Sequence, residues 1–90
     1  MKDRKRTAEM TADLYQLLAS LQTTDDVKAL FDDLCTAKEI EQMAQRLRAA
    51  KLLKDGKTYA QVIEETEISS ATLSRVSRCV QYGDGYTRLL

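Results

Sequence analysis

Small hydroxyl residues and guanidinium groups crowd one short stretch of this 90-residue chain: Ser69, Ser70, Thr72 and Ser74, with Ala71 between them, then Arg75 and Arg78. These groups donate and accept hydrogen bonds and carry fixed positive charge, so their chemistry is recognition rather than bond-making. Hydroxyls at the start of a helix suit the edges of bases in a duplex groove, and guanidiniums suit phosphate. The rest of the composition excludes most alternatives. The chain has no His, Trp or Pro and only two Cys. Without imidazole there is no histidine base, no Ser-His or Cys-His nucleophile and no imidazole zinc site. Cys35 and Cys79 cannot supply a four-ligand zinc site without carboxylates. No nucleophile, base and orienting group come together, so an enzyme is not expected, and neither a cofactor nor a metal is implied.

Such side chains must be held on a helix that presents them outward. Thr58 followed three residues later by Gln61 is a capping box, which starts a short helix with Val62 and Ile63 facing inward. A brief turn at Thr66–Glu67 follows, and Ile68 plugs the core. Ser69 or Ser70 caps the next helix, whose buried stripe is Leu73, Val76 and Val80. Two short helices joined by a tight turn make a helix-turn-helix over about residues 58–81. Ala71, Ser74, Arg75 and Arg78 then project away from the core, and Thr58, Gln61, Ser69, Ser70 and Thr72 complete the candidate DNA-binding set. Glu67 stands where many such turns have Gly, because the backbone there is left-handed, and a Glu in that conformation costs about 1 kcal/mol. Ile63, where a small Ala is frequent, implies a wider gap between the two helices.

Upstream, apolar spacing is helical throughout. Met10, Leu14, Leu17, Leu18 and Leu21 form one stripe, and Val27, Leu30, Phe31 and Leu34 form a second behind a cap at Thr23 or Thr24. Thr36 and Glu39 are spaced as another capping box, opening a helix with the stripe Ile40, Met43, Leu47, Ala50 and Leu53, which Gly56 ends. No stretch alternates with period two for long enough to make a strand, so the fold class is all-α. Leu14, Leu17, Leu18, Leu21, Val27, Leu30 and Phe31 offer more apolar surface than one small helical core covers, which makes them candidates for a dimer interface. Cys35 and Cys79 lie beside apolar stripe positions, where core packing is expected of a thiol.

The length bounds the chain to a single domain over residues 1–90, with residues 1–6 expected to be a mobile arm. Residues 7–41 carry a net charge of −6 and residues 42–90 a net of +3, although the whole chain sums to zero. That segregation permits one positive face, to which Arg46, Lys54 and Lys57 would add phosphate contacts. There is no apolar run of membrane-spanning length and no apolar core behind the basic start, so a cytoplasmic protein with reduced thiols is expected.

The runs Leu34-Cys35-Thr36, Glu39-Ile40, Ala44-Gln45-Arg46-Leu47, Gly56-Lys57-Thr58-Tyr59 and Ser70-Ala71-Thr72-Leu73-Ser74-Arg75-Val76-Ser77-Arg78-Cys79-Val80-Gln81-Tyr82-Gly83 resemble the YerC/YecD group of bacterial Trp-repressor relatives. The resemblance covers nearly all of the chain from about residue 10 and is most specific from Ala71 to Gly83. It implies an intertwined helical homodimer with two helix-turn-helix heads that regulates transcription. Two ligand-contacting arginines of the Trp repressor fall on Arg46 and Arg75, but a glycine that makes room for its ligand falls on Val76. The implied regulator is therefore not tryptophan-dependent. Its partners would be double-stranded DNA and a second copy of the chain. A rival reading is a helical module that uses the same face for a protein or RNA partner, without sequence-specific DNA binding.

Overall fold

The computed structural model describes residues 3–90. Six helices follow in order: α1 (Arg4–Ser20), α2 (Thr24–Leu34), α3 (Ala37–Lys54), α4 (Tyr59–Thr66), α5 (Ser70–Tyr82) and α6 (Gly85–Leu89), and the described residues contain no strand. The chain divides into two compact units, residues 1–36 and residues 37–90.

In the first unit, Asp3 caps α1. Its Oδ1 accepts from the amides of Lys5 at 3.0 Å and Arg6 at 3.2 Å. Part of the expected arm, residues 1 and 2, lies outside the described residues; Arg4–Arg6 instead form the first turn of α1, held by this cap. Thr23 caps α2 through a bond from the Asp26 amide (3.1 Å), and Asp25 and Asp26 sit at the positive end of its dipole. Lys28 and Asp32 pair one turn apart at 2.7 Å, and the hydrogen bond from Lys28 to that carboxylate raises the pKa of the ammonium. Neither helix contains a buried residue. Leu17 is 46% exposed and Val27 38% exposed, while Leu18, Leu21, Leu30 and Phe31 are half-buried.

The second unit contains the core: Ala49, Ala50, Val62, Ile68, Leu73 and Val76, with Leu52, Leu53, Val80 and Tyr86 packed against it. Helix α3 packs against both α4 and α5. Ala49 and Ala50 are fully buried, because small side chains let two neighbouring helices approach one backbone. This widens the buried face of α3 beyond the expected stripe and leaves Leu47, on the edge of that stripe, 42% exposed. At its end, Gly56 takes φ +87°; its amide bonds the Leu53 carbonyl, and the Lys57 amide bonds that of Leu52. This is a Schellman closure, the use expected for that glycine.

Helix α6 was not foreseen from the periodicity, since a five-residue helix is too short to show one. It is tethered from two sides. The Lys54 ammonium reaches the main-chain oxygens of Tyr86 (3.2 Å), Thr87 (3.3 Å) and Leu90 (2.8 Å). The Thr87 hydroxyl lies 3.2 Å from the carbonyls of both Val80 and Gly83. Gly83 itself has ordinary backbone angles, but a Cβ there would sit 2.6 Å from the Cys79 carbonyl oxygen.

Candidate nucleic-acid interface

Helices α4 and α5 and the turn between them carry the candidate residues. Thr58 and Gln61 form a complete capping box: the Thr58 hydroxyl accepts from the Gln61 amide (3.2 Å), and Gln61 Oε1 accepts from the Thr58 amide (2.9 Å). Both side-chain oxygens are thus engaged in starting α4. Val62 is fully buried, whereas Ile63 is 36% exposed and does not face the core. The inward position on α4 is therefore Val62 rather than Ile63.

The turn is fixed on several sides. The Thr66 hydroxyl donates to the Val62 carbonyl (2.7 Å) and accepts from the Ile68 amide (3.3 Å). From α3, Gln45 Nε2 donates to the Thr66 carbonyl at 2.8 Å. Glu67 lies between these anchors in the left-handed region, at φ 59° and ψ 20°, and its amide bonds the Ile63 carbonyl. It is the sole positive-φ residue other than glycine among the described residues.

Of the two expected caps for α5, Ser69 is the one used: its hydroxyl accepts from the Thr72 amide (3.2 Å) and lies 2.9 Å from the Thr72 hydroxyl. Leu73 and Val76 are buried and Val80 is half-buried, as the stripe required, and Ser77 joins them in the interior. Ser70, Ala71, Ser74, Arg75 and Arg78 are exposed on the other face, with Thr72 half-buried. The first turn of α5 therefore presents only short side chains.

Two clefts flank this helix. A polar one of about 390 Å³ is lined by Gln42, Gln45, Arg46, Glu67, Ser69 and Thr72. A second, of about 280 Å³, is lined by Arg46, Arg75, Val76, Cys79 and Tyr86. Arg46 thus borders both, and neither Arg46 nor Arg75 forms an ion pair among the described residues. Glu65 lies 3.9 Å from Arg48, an exposed pair that contributes little.

Two expectations need correction. Lys54 was a phosphate candidate, yet its ammonium is engaged by the main chain of the α6 region. Lys57 is exposed and borders a shallow cleft with Gln61, Glu64 and Glu65. Cys79 is exposed and Cys35 only half-buried, so neither thiol is a core residue; on α5 the inward positions are taken by Val76 and Ser77, which turns Cys79 outward. Nothing in the sequence marks Gln42 and Gln45 as parts of the clefts, and Glu67 reads there only as a turn residue. Tyr86, which with Tyr59 and Tyr82 lies near the basic half and could touch a sugar-phosphate backbone, lines the second cleft. Among the described residues no cluster of metal-ligating side chains occurs, and no helix is long and apolar enough to cross a membrane.

The Trp repressor protein family model matches residues 9–90. The chain belongs to the Trp repressor family. It is 45% identical over 78 residues to the uncharacterized protein YerC of Bacillus subtilis strain 168, an alignment covering 86% of this chain and 75% of that one. A crystal structure of a Trp repressor candidate from Staphylococcus aureus superposes with a TM-score of 0.87 at 36% identity, covering 99% of this chain and 92% of the other. A TrpR-like protein from Eubacterium eligens ATCC 27750 superposes with a TM-score of 0.88 at 38% identity, covering 97% and 91%. The family and the all-helical fold expected from the residues therefore stand.

Proposed function

We propose that this Trp-repressor relative is a homodimeric, sequence-specific DNA-binding transcription regulator that works without tryptophan. The observation that carries the reading is the division of α5. Leu73 and Val76 are sealed into the core, while Ser70, Ala71, Ser74, Arg75 and Arg78 face outward behind a first turn of short side chains. A helix so divided can lie deep in a major groove, with hydroxyls at base edges and guanidiniums on phosphate. Ser69, Thr72 and Arg46 line the cleft beside that face, Lys57 adds an exposed cation next to α4, and Thr58 and Gln61 fix the start of α4.

The dimer is supported by the first unit, in which neither helix has a buried residue although Leu14, Leu17, Leu18, Leu21, Val27, Leu30 and Phe31 give it a continuous apolar character. A second copy would cover that surface and set two heads about 34 Å apart, one turn of duplex. Independence from tryptophan is supported by Val76, a branched residue bordering the Arg46–Arg75 cleft. Forcing a ring against a misplaced branched side chain costs about 1–3 kcal/mol.

The test is duplex selection from a random pool, followed by a salt titration on the selected site with and without millimolar L-tryptophan. Binding should weaken with a log–log slope near −0.9 per neutralised phosphate. Tryptophan should leave affinity unchanged. A salt-insensitive interaction would favour the rival protein-binding module, and a gain of about tenfold or more with tryptophan would refute independence from it.

A further inference from the structure

Glu67 is an expensive choice for its position. The turn is held by Thr66, Ile68 and Gln45 whatever side chain stands at 67, and glycine takes the left-handed conformation without a Cβ clash. The Glu67 side chain is exposed and forms no ion pair among the described residues. Glu67 is one of the residues lining the polar cleft that Arg46, Ser69 and Thr72 also line. The cleft thus brings one cation and one anion to the first turn of α5. Toward a phosphate, the two charges act in opposite directions.

We infer that Glu67 is a selectivity residue, whose carboxylate penalises indiscriminate phosphate contact beside α5 and so holds down affinity for non-cognate duplex. This rests on the DNA-binding reading above. Discrimination by a built-in repulsive charge needs no gain in cognate affinity. Only a correctly seated helix, with hydroxyls on base edges, would offset the repulsion. A like-charge pair about 4 Å apart in water corresponds to a change of roughly fivefold, which sets the size of the effect.

The experiment compares the full-length wild type with Glu67→Gln and Glu67→Gly, binding a selected duplex and a random-sequence duplex of equal length at several salt concentrations. Both variants should bind the random duplex about fivefold more tightly at low salt, with a smaller gain on the selected site, so that the specificity ratio falls. The increase should shrink as salt rises, and Arg46→Gln added to Glu67→Gln should cancel it. Thermal unfolding of each variant separates this from a folding effect. If the wild type binds duplex and both variants match it on random DNA, the inference fails and the DNA-binding reading stands. If no variant binds any duplex even at low salt, that reading fails and the inference falls with it.

Discussion

Gln45 on α3 donates from Nε2 to the main-chain carbonyl of Thr66 at 2.8 Å, joining the central helix to the last residue of α4. Both groups are partly buried, so the bond closes the carbonyl of the residue that precedes the left-handed turn. Gln45→Ala leaves that carbonyl without a protein partner and should destabilise the chain by about 1–3 kcal/mol. Thermal unfolding would check this, and the turn's hydrogen exchange should accelerate more than that of α1.

The Thr58–Gln61 box offers a cleaner measurement, because each side chain serves the other's backbone. Thr58→Ala should cost about 1 kcal/mol. Gln61→Ala should cost less in the Thr58→Ala background than alone, since the two bonds hold one helix start. Strict additivity in a double-mutant cycle would show that the caps act independently.

Glu67→Gly should raise the midpoint of thermal unfolding. The left-handed region costs a non-glycine residue about 1–2 kcal/mol, and the entropy of a new glycine returns about 0.5–1 of that. The expected gain is a few degrees. A fall would mean that the carboxylate stabilises the turn by a contact the folded geometry does not display.

Base readout and phosphate grip should separate by position on α5. Ser70→Ala and Thr72→Ala should change which sequences are selected, by about 1–3 kcal/mol at one base pair if the contact is direct. Arg78→Ala, one turn or more further along the exposed face, should weaken all sequences alike and flatten the salt dependence. Altered base preference in Arg78→Ala alone would reverse the assignment.

Sedimentation at micromolar concentration should find a dimer. Leu17→Glu, which places a charge on a side chain already 46% exposed, should yield a folded monomer of the second unit's full helicity. A wild-type monomer would refute the dimer.

Much of this was legible because caps and apolar spacing are local. The Thr23, Thr58 and Ser69 caps, the left-handed Gly56 and Glu67, and the Leu73–Val76 stripe all follow from residues within a turn of one another. What was not legible depends on tertiary neighbours. Ile63 and Val62 have the same polarity, and only the placement of α3 decides that one is buried and the other is not. Ala49 reads as a helix former until two helices pack over it. Lys54 reads as a free cation until the short α6 brings three main-chain oxygens to it. The cleft around Arg46 is assembled from α3, the turn and α5, so no contiguous motif announces it.

The neighbour of Gly83 is a main-chain oxygen, that of Cys79, and every amino acid carries one. A crowded side chain can be relieved by trimming its neighbour, but no substitution at residue 79 removes a carbonyl. A side chain at position 83 therefore forces the backbone itself to shift, and a search for second-site suppressors of Gly83→Ala should return none at residue 79. The Cys79 side chain, by contrast, is exposed and can be exchanged without touching that oxygen. Four residues apart, the two positions meet opposite steric limits, and at position 83 it is the peptide backbone that sets them.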